Sequence, residues 1–179
     1  AASKGGLEDL RQLEARGLVI LGEAETWRDP LADLVFVPSS PPPLTVDQQL
    51  AWEQVSQALQ AAQSGTLIPP ILLHGVTGSG KTEIYMHATA QALQQDRQVI
   101  VLVPEIAMTP QTVRRFLARF PGLVGLMHSR LSDGERYDTW RRARHGQFGI
   151  LVGPRSALFT PMPNLGLIVL DEEHESSFK

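Results

Sequence analysis

Gly75-Val76-Thr77-Gly78-Ser79-Gly80-Lys81-Thr82 is the stretch that decides the fold of this 179-residue chain. It fits G-x-x-x-x-G-K-[ST]: glycines let backbone N–H groups curl around phosphates, while the Lys ammonium and Thr hydroxyl reach the terminal phosphates and Mg²⁺. ATP or GTP is the first ligand this pattern implies. The flanks agree with it. Ile71-Leu72-Leu73 reads as a strand entering the loop, and Glu83-Ile84-Tyr85-Met86-His87-Ala88 as a helix leaving it, its free N-terminal N–H groups aimed at the anion.

Ninety residues after Lys81, the run Leu167-Ile168-Val169-Leu170 closes on Asp171-Glu172-Glu173-His174. Apolar runs that end in carboxylates suit the buried strands of a parallel sheet, and open sheets of this kind bind ligands beyond the carboxyl ends of their strands. Asp171 is therefore expected beside the phosphate loop, holding Mg²⁺ together with Thr82. Glu172 would orient or deprotonate an attacking water.

Composition narrows the remaining classes. Hydrophobic residues make up 42% of the chain, enough for a core, and 179 residues suit one domain or one domain plus part of another. No apolar run reaches the roughly 18 residues of a membrane span, and the first residues lack a basic-then-apolar signal pattern. A cytoplasmic protein is expected. With no cysteine, disulfides and thiolate metal sites are excluded. The five histidines form no H-E-x-x-H or similar spacing, and neither G-x-G-x-x-G nor G-x-S-x-G occurs.

Net charge is −3, but residues 111–146 hold eight Arg against Asp133, Glu135 and Asp138, a local excess of five that leaves −8 elsewhere. Uneven charge of this kind is the electrostatic footprint sought when phosphate backbones are contacted.

Along the chain, Leu7 to Arg16 has the spacing of a short amphipathic helix capped by Gly17, and Leu18-Val19-Ile20-Leu21 and Leu34-Val35-Phe36-Val37 read as two short strands. Pro38-Ser39-Ser40-Pro41-Pro42-Pro43 reads as a semi-rigid linker. The main domain then starts at 44. It opens with a helix over Val46–Ala62, and after the phosphate loop the pattern predicts strands at Gln98–Val103, Leu123–Met127 and Phe148–Val152. Between them lie a helix from Thr109-Pro110 to about Arg119 and one opened by the Ser132-to-Glu135 capping box, which carries Trp140 and Arg141, Arg142 and Arg144. With the two motif strands this makes five, alternating with helices, which argues a parallel sheet with right-handed crossovers and helices on both faces.

Further stretches stand in a specific order around these motifs. They are Leu44-Thr45-Val46-Asp47-Gln48, Val103-Pro104-Glu105-Ile106-Ala107-Met108-Thr109-Pro110-Gln111 and Gly153-Pro154-Arg155-Ser156-Ala157-Leu158-Phe159-Thr160-Pro161. They resemble the Q-type motif and motifs Ia and Ib of the superfamily 2 helicases, and Asp171-Glu172-Glu173-His174 matches the DExH box. Together with His128-Ser129, Leu131 to Arg136 and Glu175 to Lys179, the resemblance is nearest to the bacterial replication-restart (primosomal) helicases. It covers 44–179 densely, and more loosely 5–37, which is similar to the end of a winged-helix domain.

The resemblance implies a P-loop NTPase of RecA-like helicase fold: a winged-helix remnant over 1–37, a linker over 38–43 and the first helicase lobe over 44–179. Gly75, Gly78, Ser79, Gly80, Lys81 and Thr82 would bind ATP, Thr82 and Asp171 would hold Mg²⁺, and Gln48 would read adenine. Lys81, Asp171 and Glu172 would serve hydrolysis, and His174 would couple it to DNA movement. Pro104, Glu105, Thr109, Gln111, Arg155 and Ser156 would lie along single-stranded DNA, with Pro154 standing where the family usually carries Thr.

The implied whole is an ATP-driven 3′-to-5′ helicase that acts on single-stranded and forked DNA at stalled or collapsed forks. Its implied partners are primosome proteins and single-stranded-DNA-binding protein. A DNA-end-binding domain, a zinc module and a second lobe with arginine fingers are expected outside these 179 residues, which alone are expected not to unwind DNA. The same motifs suit two alternatives: another DExH motor such as an RNA helicase or translocase, and a non-catalytic nucleotide-binding switch.

Overall fold

The computed structural model describes residues 6–22, 26–32, 34–76 and 78–173. Its centre is a four-stranded parallel sheet in the order β2-β3-β1-β4, built from β1 (Gln98–Leu102), β2 (Val124–Leu126), β3 (Ile150–Gly153) and β4 (Leu165–Leu170). β1 lies between β3, with Val99 opposite Ile150, and β4, with Ile100 opposite Ile168; β2 pairs β3 with Val124 opposite Ile150. The described residues also form five helices: α1 (Leu7–Ala15), α2 (Val46–Gln63), α3 (Lys81–Gln94), α4 (Pro110–Arg119) and α5 (Asp133–Arg144). Short 3-10 turns follow β1 (Glu105–Ala107) and β3 (Arg155–Phe159).

Successive strand residues point to opposite faces, and the central strands are apolar on both. Val99, Val101, Ile150 and Val152 join residues of α3 and α4 in one core, which includes Phe116 and Met86. Ile100, Leu102 and Leu151 join the other core with Ala143 of α5, Ala157 and Phe148. Helices thus cover both faces, as an α/β lobe requires. Two predicted helix starts hold in detail: Thr109 Oγ1 accepts the Thr112 N–H at 3.2 Å with Pro110 in the first turn, and Ser132 and Glu135 form a reciprocal capping box.

Three expected strands are corrected. Ile71-Leu72-Leu73 joins no ladder, so the sheet has four strands among the described residues and not five. The approach runs through Pro69-Pro70, two residues without N–H donors, which leaves only a few residues able to pair. Leu18–Leu21 and Leu34–Val37 likewise form no strands. An isolated pair of short strands is marginal without a third neighbour, and Leu34 and Phe36 are instead drawn onto the main core. Gly17, at φ +68°, does close α1 as expected. No helix among the described residues is long and apolar enough to cross a membrane.

Candidate nucleotide site

The phosphate loop is shaped by glycines that only this residue type tolerates: Gly78 and Gly80 sit at φ +81° and +85°. A Cβ on Gly80 would run into the Gln48 side-chain amide, and one on Gly75 would lie 2.7 Å from Ser79 Oγ. The backbone is therefore drawn in tightly where an anion would sit. Ser79 N–H closes a turn onto Val76 O at 3.1 Å, and Gly80 hands the chain directly into α3. Lys81 Nζ curls over the loop and donates to Gly75 O at 2.8 Å and Val76 O at 3.1 Å.

Gln48 holds the loop from outside. Its amide oxygen accepts the Thr45 N–H at 2.9 Å, completing the α2 cap, and its Nε2 donates to Ser79 O at 3.0 Å. The start of α2 is thereby tied to the loop.

β4 delivers Asp171 to the same place. Asp171 N–H donates to Leu102 O at 2.9 Å, extending the ladder with β1 by one bond, and its carboxylate accepts the Tyr85 hydroxyl at 3.1 Å. Tyr85 lies one turn along α3 from Lys81, so helix and strand end are joined across the site. Burial raises the Asp171 pKa above the ordinary carboxylate range, with the Glu172 carboxylate adding to the rise. The Tyr85 hydroxyl, the Glu172 N–H and Lys81 oppose it. Burial also pushes the Tyr85 phenol well up, partly offset by its hydrogen bond with Thr82. Glu172 has φ +53°, a conformation that costs a non-glycine residue about 1–3 kcal/mol.

Gly78, Gly80, Lys81, Thr82, Asp171 and Glu172 all open on one cleft of about 1260 Å³. The residues fit a magnesium-bound triphosphate: a nest of N–H groups, one ammonium, one hydroxyl and one carboxylate half removed from water. Among the described residues no group of three or more His, Asp or Glu gathers as a metal cage. Mg²⁺ needs none, because it is usually held by one or two carboxylates with substrate phosphates and water.

The DEAD/DEAH box helicase model matches residues 45–179, three quarters of the chain. The chain belongs to the DEAD/DEAH box helicase family. Relatives called Replication restart protein PriA include that of Bacillus subtilis, 46% identical over 170 residues, covering 95% of this chain and 21% of that protein. The Chlamydia pneumoniae protein is 46% identical over 177 residues, covering 99% of this chain and 23% of its own length. That of Haemophilus influenzae is 57% identical over 108 residues, 60% of this chain and 15% of the relative. The chain thus spans about a fifth of the length of the curated relatives it matches.

Within this family lobe, the residues expected along DNA divide between two places. Pro104 is buried at the end of β1, while Glu105 and Thr109 line a second cleft of about 440 Å³ with His128, Ser129 and Arg130. Burial and the neighbouring Arg130 cation lower the His128 pKa. Arg155 and Ser156 are exposed on the turn after β3, the strand beside β1, so both motifs emerge at the same end of the sheet. Gln111 falls elsewhere, on the wall of the larger cleft with Arg114 and Arg115. His174 lies outside the described residues.

Tyr85 was not singled out from the sequence. Neither was the ion pair of Arg119 Nη2 with Glu83, 2.7 Å, which clamps α4 to the start of α3. The i, i+4 spacing from Lys81 to Tyr85 is the signal that finds the first. Nothing local signals the second.

Proposed function

We propose that this chain is the ATP-binding lobe of an ATP-driven, 3′-to-5′ DNA helicase that acts at stalled or collapsed replication forks to restart replication in the bacterial cytoplasm. What carries the reading is the meeting of Lys81 and Asp171 on one cleft, where Tyr85 of the Lys81 helix hydrogen-bonds Asp171. The restart role is taken from relatives whose name is Replication restart protein PriA. The division into a winged-helix remnant over 1–37, a linker over 38–43 and a lobe over 44–179 belongs to the same reading.

In it, the N–H groups of Gly75, Gly78, Ser79 and Gly80 hold the phosphates, and the Lys81 ammonium neutralises them. Thr82 and Asp171 hold Mg²⁺, which when bound spreads the charge of the β- and γ-phosphates. Glu172 orients the attacking water, Gln48 contacts adenine from the α2 cap, and His174 relays hydrolysis to the DNA side. Pro104, Glu105, Thr109, Arg155 and Ser156 serve the strand through backbone, hydroxyl and guanidinium contacts with phosphates, and Gln111, expected with them, is set apart on the wall of the larger cleft. Forked and single-stranded DNA, primosome proteins and single-stranded-DNA-binding protein are the proposed partners, and zinc belongs to another part of the full-length protein.

Titration of Mg²⁺-ATP against the chain tests the site. Lys81→Ala should weaken binding by about 10- to 100-fold, the worth of a charge-assisted hydrogen bond of about 1.5–3 kcal/mol. Equal affinity in the variant would remove Lys81 from the phosphates. For the full-length protein, ATP turnover should be stimulated by single-stranded DNA more than by RNA and be lost in Glu172→Gln. A preference for RNA would favour another DExH motor, and binding output without turnover a switch.

A further inference from the structure

Residues 27–32 and 34–39 precede the lobe in sequence, yet they are pinned to it at two places. At the first, Asp138 of α5 has a side chain only 8% exposed, and its partners are both from Arg28: the backbone N–H at 3.1 Å and Nη1 at 3.2 Å. Asp29 completes a second pair with Arg142 at 3.1 Å, and the Arg141 guanidinium lies 4.9 Å from the Trp27 ring centre. The Arg28 side chain is largely exposed, so the pair's Coulomb energy is small. The docked segment shields the Asp138 carboxylate from water, and the two Arg28 hydrogen bonds replace the water it gives up, which fixes where the segment sits.

At the second place, Leu31, Leu34 and Phe36 pack on the core that holds α3 and α4, and Ser39 N–H donates to Ala118 O of α4 at 2.9 Å. Between the two anchors and the linker, Val35, Phe36, Val37 and Ser39 form a wall of the cleft that also contains Lys81, Thr82 and Asp171. With the wall in place the cleft still measures about 1260 Å³. That exceeds the roughly 300–1,000 Å³ of ordinary small-molecule sites, so the docked segment lines one side of the site without filling it.

We infer that this segment is a clasp coupled to the nucleotide: docking on α5 and α4 raises the affinity of the cleft for a Mg²⁺-bound nucleoside triphosphate. By reciprocity, nucleotide tightens the clasp. Arg28 and Asp138 are then positioning residues, acting on a site they do not touch. Whatever precedes the clasp in the chain gains a mechanical connection to the nucleotide state. The inference rests on the nucleotide reading of the cleft.

The experiment measures fluorescent-ATP affinity with Mg²⁺ for the chain and for Asp138→Asn, Phe36→Ala and Val37→Ser, with amide exchange at 34–39 followed with and without nucleotide. Val37 is exposed on the cleft wall, so its variant leaves the core untouched. Asp138→Asn and Phe36→Ala should bind about five-fold or more weakly, Val37→Ser should weaken binding in the same direction, and nucleotide should slow exchange at Ser39 and its neighbours. If the unaltered chain binds but all three variants match it and exchange at 34–39 is unmoved, the coupling is wrong. Failure of the unaltered chain to bind would instead bring down the nucleotide reading, and the clasp with it.

Discussion

Val99–Val103 and Ile71–Leu73 are both short apolar runs leading to a loop that lines a cleft, yet the first is sealed from water while Ile71 and Leu72 remain 52% and 76% exposed. β1 has a parallel neighbour on each side, whereas the run before the phosphate loop follows two prolines and finds none. Apolar character made both candidates for strands. Hydrogen-bonding partners separated them, because a backbone that cannot complete a ladder gains nothing from leaving water. The phosphate loop is consequently held from its far side, by α3, the Gln48 amide and the Tyr85–Asp171 bond.

The largest expected effect tests that contrast directly. Ile100→Ala, at a fully buried position, should lower unfolding free energy by about 2–5 kcal/mol in urea titration. Leu72→Ala should change it by no more than about 0.5 kcal/mol. A loss of core size at Leu72 would show that this run is a buried strand after all, and the contrast would collapse.

Next in size is Gly80→Ala, which forces a side chain into the left-handed region and against Gln48, for a loss of about 1–2 kcal/mol from conformation alone. Gly65→Ala sharpens the reading, since Gly65 has the same φ of +85° but open space around it. The excess loss at Gly80 measures the Gln48 contact, and equal losses would dissolve it.

Tyr85→Phe removes a hydroxyl and little else. Mg²⁺-nucleotide affinity should fall about 2- to 10-fold, the net worth of one hydrogen bond of about 0.5–1.5 kcal/mol. Unchanged affinity would mean that α3 positions the loop without help from β4.

The smallest effect lies far from the loop, in the α5 cap. Hydrogen bonds from the Ser132 hydroxyl and N–H hold the Glu135 carboxyl below its ordinary range. A carboxyl with a depressed folded pKa stabilises the fold above its unfolded value, and that contribution is lost as pH falls through the folded value. Glu135→Gln should flatten this part of the acid limb in melts taken across mildly acidic pH. An unchanged slope would assign the acid limb to other groups.

Sequence by itself determined the elements whose cause is local. The phosphate loop follows from glycines that can adopt positive φ, the starts of α4 and α5 from side chains that cap their own helices, and the parallel sheet from runs apolar on both faces. It also placed Lys81 and Asp171 together, because strands of a parallel sheet deliver their carboxyl ends to one edge. Tertiary structure alone decided what depends on distant partners. Ile71–Leu73 stayed outside the sheet, Val35–Val37 became a cleft wall and not a strand, Gln111 faced the larger cleft, and Tyr85 found Asp171. The physical reason is that φ, ψ and capping preferences are carried by a few adjacent residues. A hydrogen-bonding neighbour, or a counter-charge for a buried carboxylate such as Arg28 for Asp138, comes from a distant part of the chain, 110 residues away.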